Sequence, residues 1–300
     1  MIETFGIFIA LALSFFPARS PSNAEVAPAH TIQQEPHIII DDSYTAHSVL
    51  LFNFDDDNKI AQRASDTALP IASITKIMTG YIALKNLSPE SQIRMSKESI
   101  ETEGTIGKFR SDEIFSLPGI LEAMMTASSN DAAMALAEHI GRERGGKDFD
   151  ESIQIFVTLM NETAHDLGMS HTTYINPTGL DTVEKNPSNY STADDLAILL
   201  KTTSIETPLL WDLSRDSNTT ILSDRGVPHD FFNLNILAPH IMHFIGGKTG
   251  STDTARESVV EIFEAPLGFR RGLIVLGADP GGKRFEEATL IINQITSVLP

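Results

Sequence analysis

The chain of 300 residues contains no cysteine. This removes disulfides, thiolate zinc sites, iron–sulfur clusters and cysteine nucleophiles together, while leaving the compartment open. Positive charge is scarce as well: 22 Lys and Arg stand against 40 Asp and Glu, a formal net charge of -18. A polyanion repels phosphate, so neither nucleic acid nor an anionic membrane surface is an expected partner. No apolar run reaches the roughly 20 residues that a bilayer-spanning helix needs. The longest, FGIFIALALSFF from Phe5 to Phe16, stops at Pro17. It suits the apolar region of a secretory signal, with Ser22-Asn23-Ala24 as the small-residue cleavage site. Glu3, in a leading stretch without Lys or Arg, departs from that pattern. Residues 1–24 are therefore expected to be a signal peptide, 25–40 a Pro-, Ser- and Gln-rich linker, and 41–300 the folded domain. Membrane contact is expected only through the N-terminal segment, if it is uncleaved.

Metal motifs are missing too. His240 and His243 form H-x-x-H but no H-E-x-x-H exists, and His165 and His171 sit near a helix end where turn roles suffice. The run Asp55-Asp56-Asp57-Asn58 lacks the alternation, glycine and distal Glu of a calcium loop and reads as a turn. No metal and no cofactor are expected.

What is present is a set of elements in an uneven order. Ser48 to Phe54 (SVLLFNF) reads as a strand. From Ser73, Ile74, Ile77, Met78, Tyr81 and Ile82 form one helical stripe. Further helices are expected over Ile120–Thr126, from Asp131 to a stop at Gly141, from Phe149 to Gly168, and over Thr192–Thr202. Val259–Phe263 and Leu273–Gly277 read as strands, and Arg284–Val298 as a closing helix. Strands flanking a helical middle point to an α/β (α+β) sandwich, an antiparallel sheet of about five strands with helices on both faces plus a helical subdomain, rather than βαβ alternation.

Three short motifs carry possible chemistry: Ser73-Ile74-Thr75-Lys76, Ser128-Ser129-Asn130 and Lys248-Thr249-Gly250. A serine hydroxyl is a weak nucleophile without a base in hydrogen-bond reach, and a spacing of three on a helix puts Lys76 beside Ser73. Burial and nearby positive charge would make the neutral amine accessible. Taken singly, Ser73 reads more simply as a helix cap above a solvated Lys76, and Ser128 and Asn130 as helix caps; the three motifs gain weight jointly and in this order. Ser128 and Asn130 fall in a short connection between helices, where a hydroxyl could relay a proton and an amide could hold a substrate backbone. Lys248-Thr249-Gly250 follows two glycines, which let a substrate backbone lie along an edge strand. A phosphate loop would need another glycine where Met242 stands, and a helix rather than strands after it.

At these motifs the chain resembles the serine-type D-alanyl-D-alanine carboxypeptidases, the low-molecular-mass penicillin-binding proteins, in their shorter single-domain form. The likeness extends over LPIASITKIMTGYIAL (Leu69–Leu84), MMTASSNDAAMALAEHIG (Met124–Gly141), LGMSHTTYINPTGLD (Leu167–Asp181), NYSTADDLAILLK (Asn189–Lys201) and GGKTGSTDTA. It implies a β-lactamase/transpeptidase-like fold and an exported, periplasmic or otherwise extracytoplasmic, cell-wall-associated enzyme. The implied substrate is a pentapeptide or cross-linked peptide of peptidoglycan, with β-lactams as covalent inhibitors. It also implies roles: Ser73 attacks, Lys76 takes its proton, Ser128 helps protonate the leaving amine, and Asn130 positions substrate and Lys76. Lys248 tunes the site, Thr249 and Arg284 meet the substrate carboxylate, and the backbone N–H groups of Ser73 and Ser251, flanking Gly250, form the oxyanion hole. Arg256 and Glu257 depart from the family, which usually shows a glycine and a small or aromatic residue there. Two other readings remain open on the motifs. A class A-like β-lactamase would need an E-x-x-L-N stretch between Asn130 and Lys248, which is missing. A non-catalytic peptidoglycan- or penicillin-binding module would have no need of a nucleophile beside a base.

Overall fold

The computed structural model describes residues 38–298, apart from 57, 105–106 and 183–187. The expected signal peptide and most of the linker lie outside the described residues. Strands β1 (Ser48–Asn53) and β2 (Lys59–Arg63) form a hairpin. The short β3 (Leu69–Pro70) leads through a 3-10 turn (Ala72–Thr75) into α1 (Lys76–Asn86). Then β4 (Gln92–Arg94), α2 (Lys97–Ile100) and β5 (Ile114–Ser116) make a small ribbon with a helical insert. Helices α3 (Leu117–Thr126), α4 (Asn130–Glu143) and α5 (Phe149–Asp166) follow. Next, β6 (Tyr190–Ser191) pairs with β3 and precedes α6 (Ala193–Glu206) and α7 (Leu209–Asp212). Strands β7 (Asn218–Leu222) and β8 (Pro228–Phe232) form a second ribbon. Finally β9 (Phe244–Thr252), β10 (Arg256–Glu264) and β11 (Arg270–Ala278) run up and down before α8 (Lys283–Val298).

The main sheet has five strands in the order β2-β1-β11-β10-β9, all antiparallel. Its side chains divide by strand alternation. Leu50, Phe52, Val260, Ile262, Ile274 and Leu276 join a large cluster with α1, α3, α4 and α6. Val49, Leu51, Val259, Phe263, Leu273 and Val275 join a second cluster with Ala288, Ile291 and Ile295 of α8. Both faces are therefore dry, which is why β1 reads as a continuous apolar run instead of an alternating one. The expected sandwich, five-stranded antiparallel sheet and helical region are borne out. Ile38, in the stretch that composition assigns to the linker, is buried in the second cluster.

Helix starts follow capping chemistry. The side chains of Ser116, Ser129, Asp148 and Thr192 accept hydrogen bonds from Gly119, Ala132, Glu151 and Asp195 backbone N–H groups at the heads of α3, α4, α5 and α6. The stripe on α1 is buried in full. Several boundaries differ from expectation: the helix expected from Ser73 opens with the 3-10 turn, α6 runs four residues beyond Thr202 to Glu206, and two more have a visible local cause. Helix α3 starts at Leu117, because Ser116 and the early Pro118 set its first turn. Gly141 does not stop α4, which continues to Glu143. A Cβ on Gly141 would lie 2.1 Å from the Ser152 carbonyl oxygen, so this glycine serves the close approach of α4 to α5.

Candidate active site

Ser73 sits in the 3-10 turn that leads into α1 and remains half-buried. Its predecessor Ala72 has φ +46, a left-handed conformation that a residue with a Cβ adopts at a cost. The turn is held from three directions. Ile71 N–H donates to the Asn189 carbonyl at 3.0 Å. Gly179, with φ +85, approaches so closely that an added Cβ would lie 1.9 Å from the Ala72 carbonyl oxygen. On a third side, a Cβ added to Gly250 of β9 would lie 3.2 Å from Ser73 N. The first and third motifs thus meet at one turn.

Lys76, the first residue of α1, is 0 % exposed. Its Nζ lies 2.9 Å from Ser73 Oγ, 2.8 Å from Asn130 Oδ1 and 2.7 Å from the Thr178 carbonyl oxygen. Two of these partners can only accept; the hydroxyl can accept or donate. Burial, and then the charge of Lys248, hold the Lys76 pKa well below the usual lysine value. In the neutral form two N–H bonds satisfy Asn130 and Thr178, and the lone pair is left for the Ser73 hydroxyl proton. The cap-and-solvated-lysine alternative therefore fails for this motif.

Asn130 opens α4, and its Nδ2 donates to the Glu103 carbonyl at 2.9 Å, which fixes Oδ1 toward Lys76. Ser128, two residues earlier, has φ +59 in the turn between α3 and α4. Its Oγ is buried with no hydrogen-bond partner among the described residues. A buried hydroxyl without a partner is unfavourable unless a ligand completes it. Ser129 between them caps α4, so in this motif the capping role belongs to the middle residue.

Strand β9 is an edge of the sheet, as the glycines beside Lys248 suggest. Lys248 is 1 % exposed, donates to the Thr249 carbonyl at 2.9 Å, and its pKa is lowered to about 7 by burial and by the charge of Arg284. Thr249 is buried and Ser251, next to Gly250, is exposed. Arg284, in the first turn of α8, donates from Nη1 to the Gly250 carbonyl at 3.0 Å. Ser73, Lys76, Asn130, Lys248, Gly250 and Arg284 are thus linked by direct contact or direct electrostatic influence, with Ser128, Thr249 and Ser251 adjacent in chain.

Motif reading misses three contributors. The Thr178 carbonyl carries no side-chain signature. Asn176 Oδ1 shapes its loop by accepting from Thr178 N–H at 3.1 Å and Gly179 N–H at 2.7 Å. Asn189, 0 % exposed, donates to Thr75 Oγ1 and the Asn176 carbonyl, both at 2.9 Å, joining that loop to the nucleophile turn. The turn-forming run Asn176-Pro177-Thr178-Gly179 is the signal that could have found the first two.

The profile of the D-alanyl-D-alanine carboxypeptidase family matches residues 31–279. The D-alanyl-D-alanine endopeptidase of Pseudomonas aeruginosa is 31% identical over 97% of this chain and 88% of its own length. Among solved structures, penicillin-binding protein D2 of Listeria monocytogenes in its ampicillin-bound form has a TM-score of 0.69 at 26% identity, covering 84% of this chain and 97% of that one. A Mycobacterium tuberculosis D-alanyl-D-alanine carboxypeptidase shares the fold, with a TM-score of 0.73 at 24% identity, covering 87% of this chain and 96% of that one. A serine-lysine-asparagine cluster against a K-T-G edge strand, inside a profile match over most of the sequence, makes this chain a member of the D-alanyl-D-alanine carboxypeptidase family of serine peptidases.

Proposed function

We propose that the chain hydrolyses D-Ala-D-Ala peptides of peptidoglycan through an acyl-enzyme on Ser73, as a carboxypeptidase or endopeptidase, and that β-lactams acylate the same hydroxyl. The observation that carries the reading is the fully buried Lys76 amine, 2.9 Å from Ser73 Oγ with its other bonds on two fixed carbonyl acceptors. A lysine in that position loses its charge easily and can accept a proton only from the serine.

The steps follow. Ser73 Oγ attacks the D-Ala carbonyl as its proton passes to Lys76 Nζ. The oxyanion is met by the backbone N–H groups of Ser73 and Ser251. As the peptide C–N bond breaks, Ser128 Oγ delivers its proton to the leaving amine and is reprotonated from Lys76 Nζ, which becomes neutral again. Water then attacks the ester carbonyl, its proton passes to Lys76, and Lys76 returns a proton to Ser73 Oγ as the ester bond breaks. Thr249 and Arg284 face the carboxylate that follows the scissile bond, and Lys248 sustains the positive potential. No step needs a metal or cofactor. Peptidoglycan as substrate, together with the signal-like N-terminus, supports a location outside the cytoplasm.

The test is penicillin labelling followed by digestion and mass spectrometry, alongside D-Ala release from a D-Ala-D-Ala peptide. The expected adduct is on Ser73, and Ser73→Ala is expected to lose both label and turnover. Labelling elsewhere, or turnover retained by a folded Ser73→Ala protein, overturns the reading.

A further inference from the structure

The two residues that depart from the family pattern, Arg256 and Glu257, stand at the start of β10, where Glu257 is directly opposite Ser251 in the register of β9. Arg256 is turned outward: it has φ +57, pairs with Asp279 and contacts His47 Nε2 at 2.9 Å. Glu257 is turned toward the head of α8. Its Oε1 accepts from Gly281 N–H at 3.1 Å, its Oε2 accepts from Gly282 N–H at 3.1 Å, and Oε2 lies 3.9 Å from Arg284 Nε. The side chains of Arg284 and Glu257 are 14% and 13% exposed. Backbone amides at a helix start hold a carboxylate in place.

Arg284 is the cation best able to meet an anion at this end of the site. Lys76 and Lys248 are buried and sit below the ordinary lysine pKa, whereas a guanidinium keeps its charge. Arg284 is also rigid: it is tied to the Gly250 carbonyl and lies over the Phe285 ring at 4.6 Å. Its Nε is buried with no hydrogen-bond partner among the described residues. A small or aromatic side chain at position 257 would leave this charge uncompensated. Here an anchored anion stands beside it.

We propose that Glu257 is a specificity-determining residue: by offsetting the charge of Arg284 it biases the site toward peptides in which the carboxylate after the scissile bond is blocked, as an amide or by chain extension. A carboxylate entering the pocket meets a paired guanidinium and the like charge of Glu257 at close range, in a partly desolvated place where such repulsion is strong. A neutral amide at the same place meets no such penalty. Glu257 acts through Arg284 and takes no part in the proton relay.

This inference rests on the D-Ala-D-Ala hydrolase reading, and the test separates the two. Steady-state kinetics are measured on a blocked-N-terminus Lys-D-Ala-D-Ala peptide and on its C-terminal amide, for wild type, Glu257→Gln, Arg284→Gln and the double variant. Glu257→Gln keeps one acceptor oxygen, and Oε1 lies within reach of both the Gly281 and Gly282 amides, at 3.1 and 3.3 Å; Glu257→Ser is a second variant should the first not fold. The expected result is a shift of about tenfold in the kcat/KM ratio toward the free carboxylate in Glu257→Gln, expressed mainly in KM. In the Arg284→Gln background the same substitution is expected to shift the ratio little. An unchanged ratio in folded Glu257→Gln and Glu257→Ser proteins, or an equal shift with and without Arg284, overturns the proposal. Wild-type protein inert toward both peptides overturns the hydrolase reading instead.

Discussion

At the scale of the residue, the site is a problem of two lysines sharing a small buried volume. Lys248 is one of the causes that lower the Lys76 pKa, burial being the larger. Arg284 in turn helps lower Lys248 to about 7. Acylation needs Lys76 neutral, so each neighbouring positive charge extends activity toward lower pH. Replacing Lys248 by Gln removes that charge and lets the Lys76 pKa rise. The acid limb of the acylation profile is therefore expected to move to higher pH. Stopped-flow penicillin acylation at a series of pH values measures this; a limb that stays in place or moves down removes Lys248 from the account of Lys76. The Ser73–Lys76 pair was legible through its company, since the spacing alone left a helix cap open and only the two later motifs, in order, singled it out. Sequence alone could not make Thr178 legible, since a carbonyl oxygen is the same in every residue and only the fold aims it.

At the scale of the element, the decisive contact is between the edge strand β9 and the turn that carries Ser73. Gly250 is the contact point: a methyl there would come within 3.0 Å of the Ile71 carbonyl oxygen and 3.2 Å of Ser73 N. These distances are tight but not prohibitive, so Gly250→Ala is expected to fold with the strand displaced by a few tenths of an ångström. Displacement on that scale between nucleophile and oxyanion donors is expected to lower acylation about 10- to 100-fold, with the melting temperature nearly unchanged. Penicillin acylation rates and thermal unfolding of the variant check this together; full activity would show that the contact has slack. Elements with long periodic stripes, such as α1 and α5, were readable from the chain, and so was the alternation-free β1. The ribbons β4–β5 and β7–β8 were not. Their strands of three and five residues carry little pattern, and their pairing is set by the helices they flank. The break at Gly141 was misread because a glycine in a helix signals either an end or a close neighbour, and only tertiary packing tells which.

At the scale of the molecule, both faces of one sheet are covered, and a carboxyl is enclosed with the apolar side chains. Glu261 of β10 is 0 % exposed, beneath Gly247 of β9, and accepts from Asn235 Nδ2 at 2.9 Å. Its other oxygen has no partner among the described residues. Burial raises its pKa to about 8 from an ordinary 4.5. Between those values the folded chain keeps a proton that the unfolded chain has released. Stability from this group is therefore complete below pH 4.5 and falls as pH rises to about 8. Glu261→Gln mimics the protonated form, so the variant is expected to match wild type near pH 5 and to exceed it by on the order of 3 kcal/mol at pH 9. Urea unfolding of both proteins at each pH cancels the opposite contribution of the buried lysines; parallel curves would mean that the carboxyl is charged throughout.

The pairing of β1 with β11 has a consequence for biosynthesis. The second strand in that pair leaves the ribosome after more than two hundred intervening residues, and β9, with its lysine, comes late as well. Until this tail has been made and has closed on the beginning, Lys76 lacks the neighbouring charge of Lys248 that helps lower its pKa, and the Ser73 turn lacks the strand that lies against it. The nucleophile is therefore assembled by parts of the chain that are synthesised far apart in time.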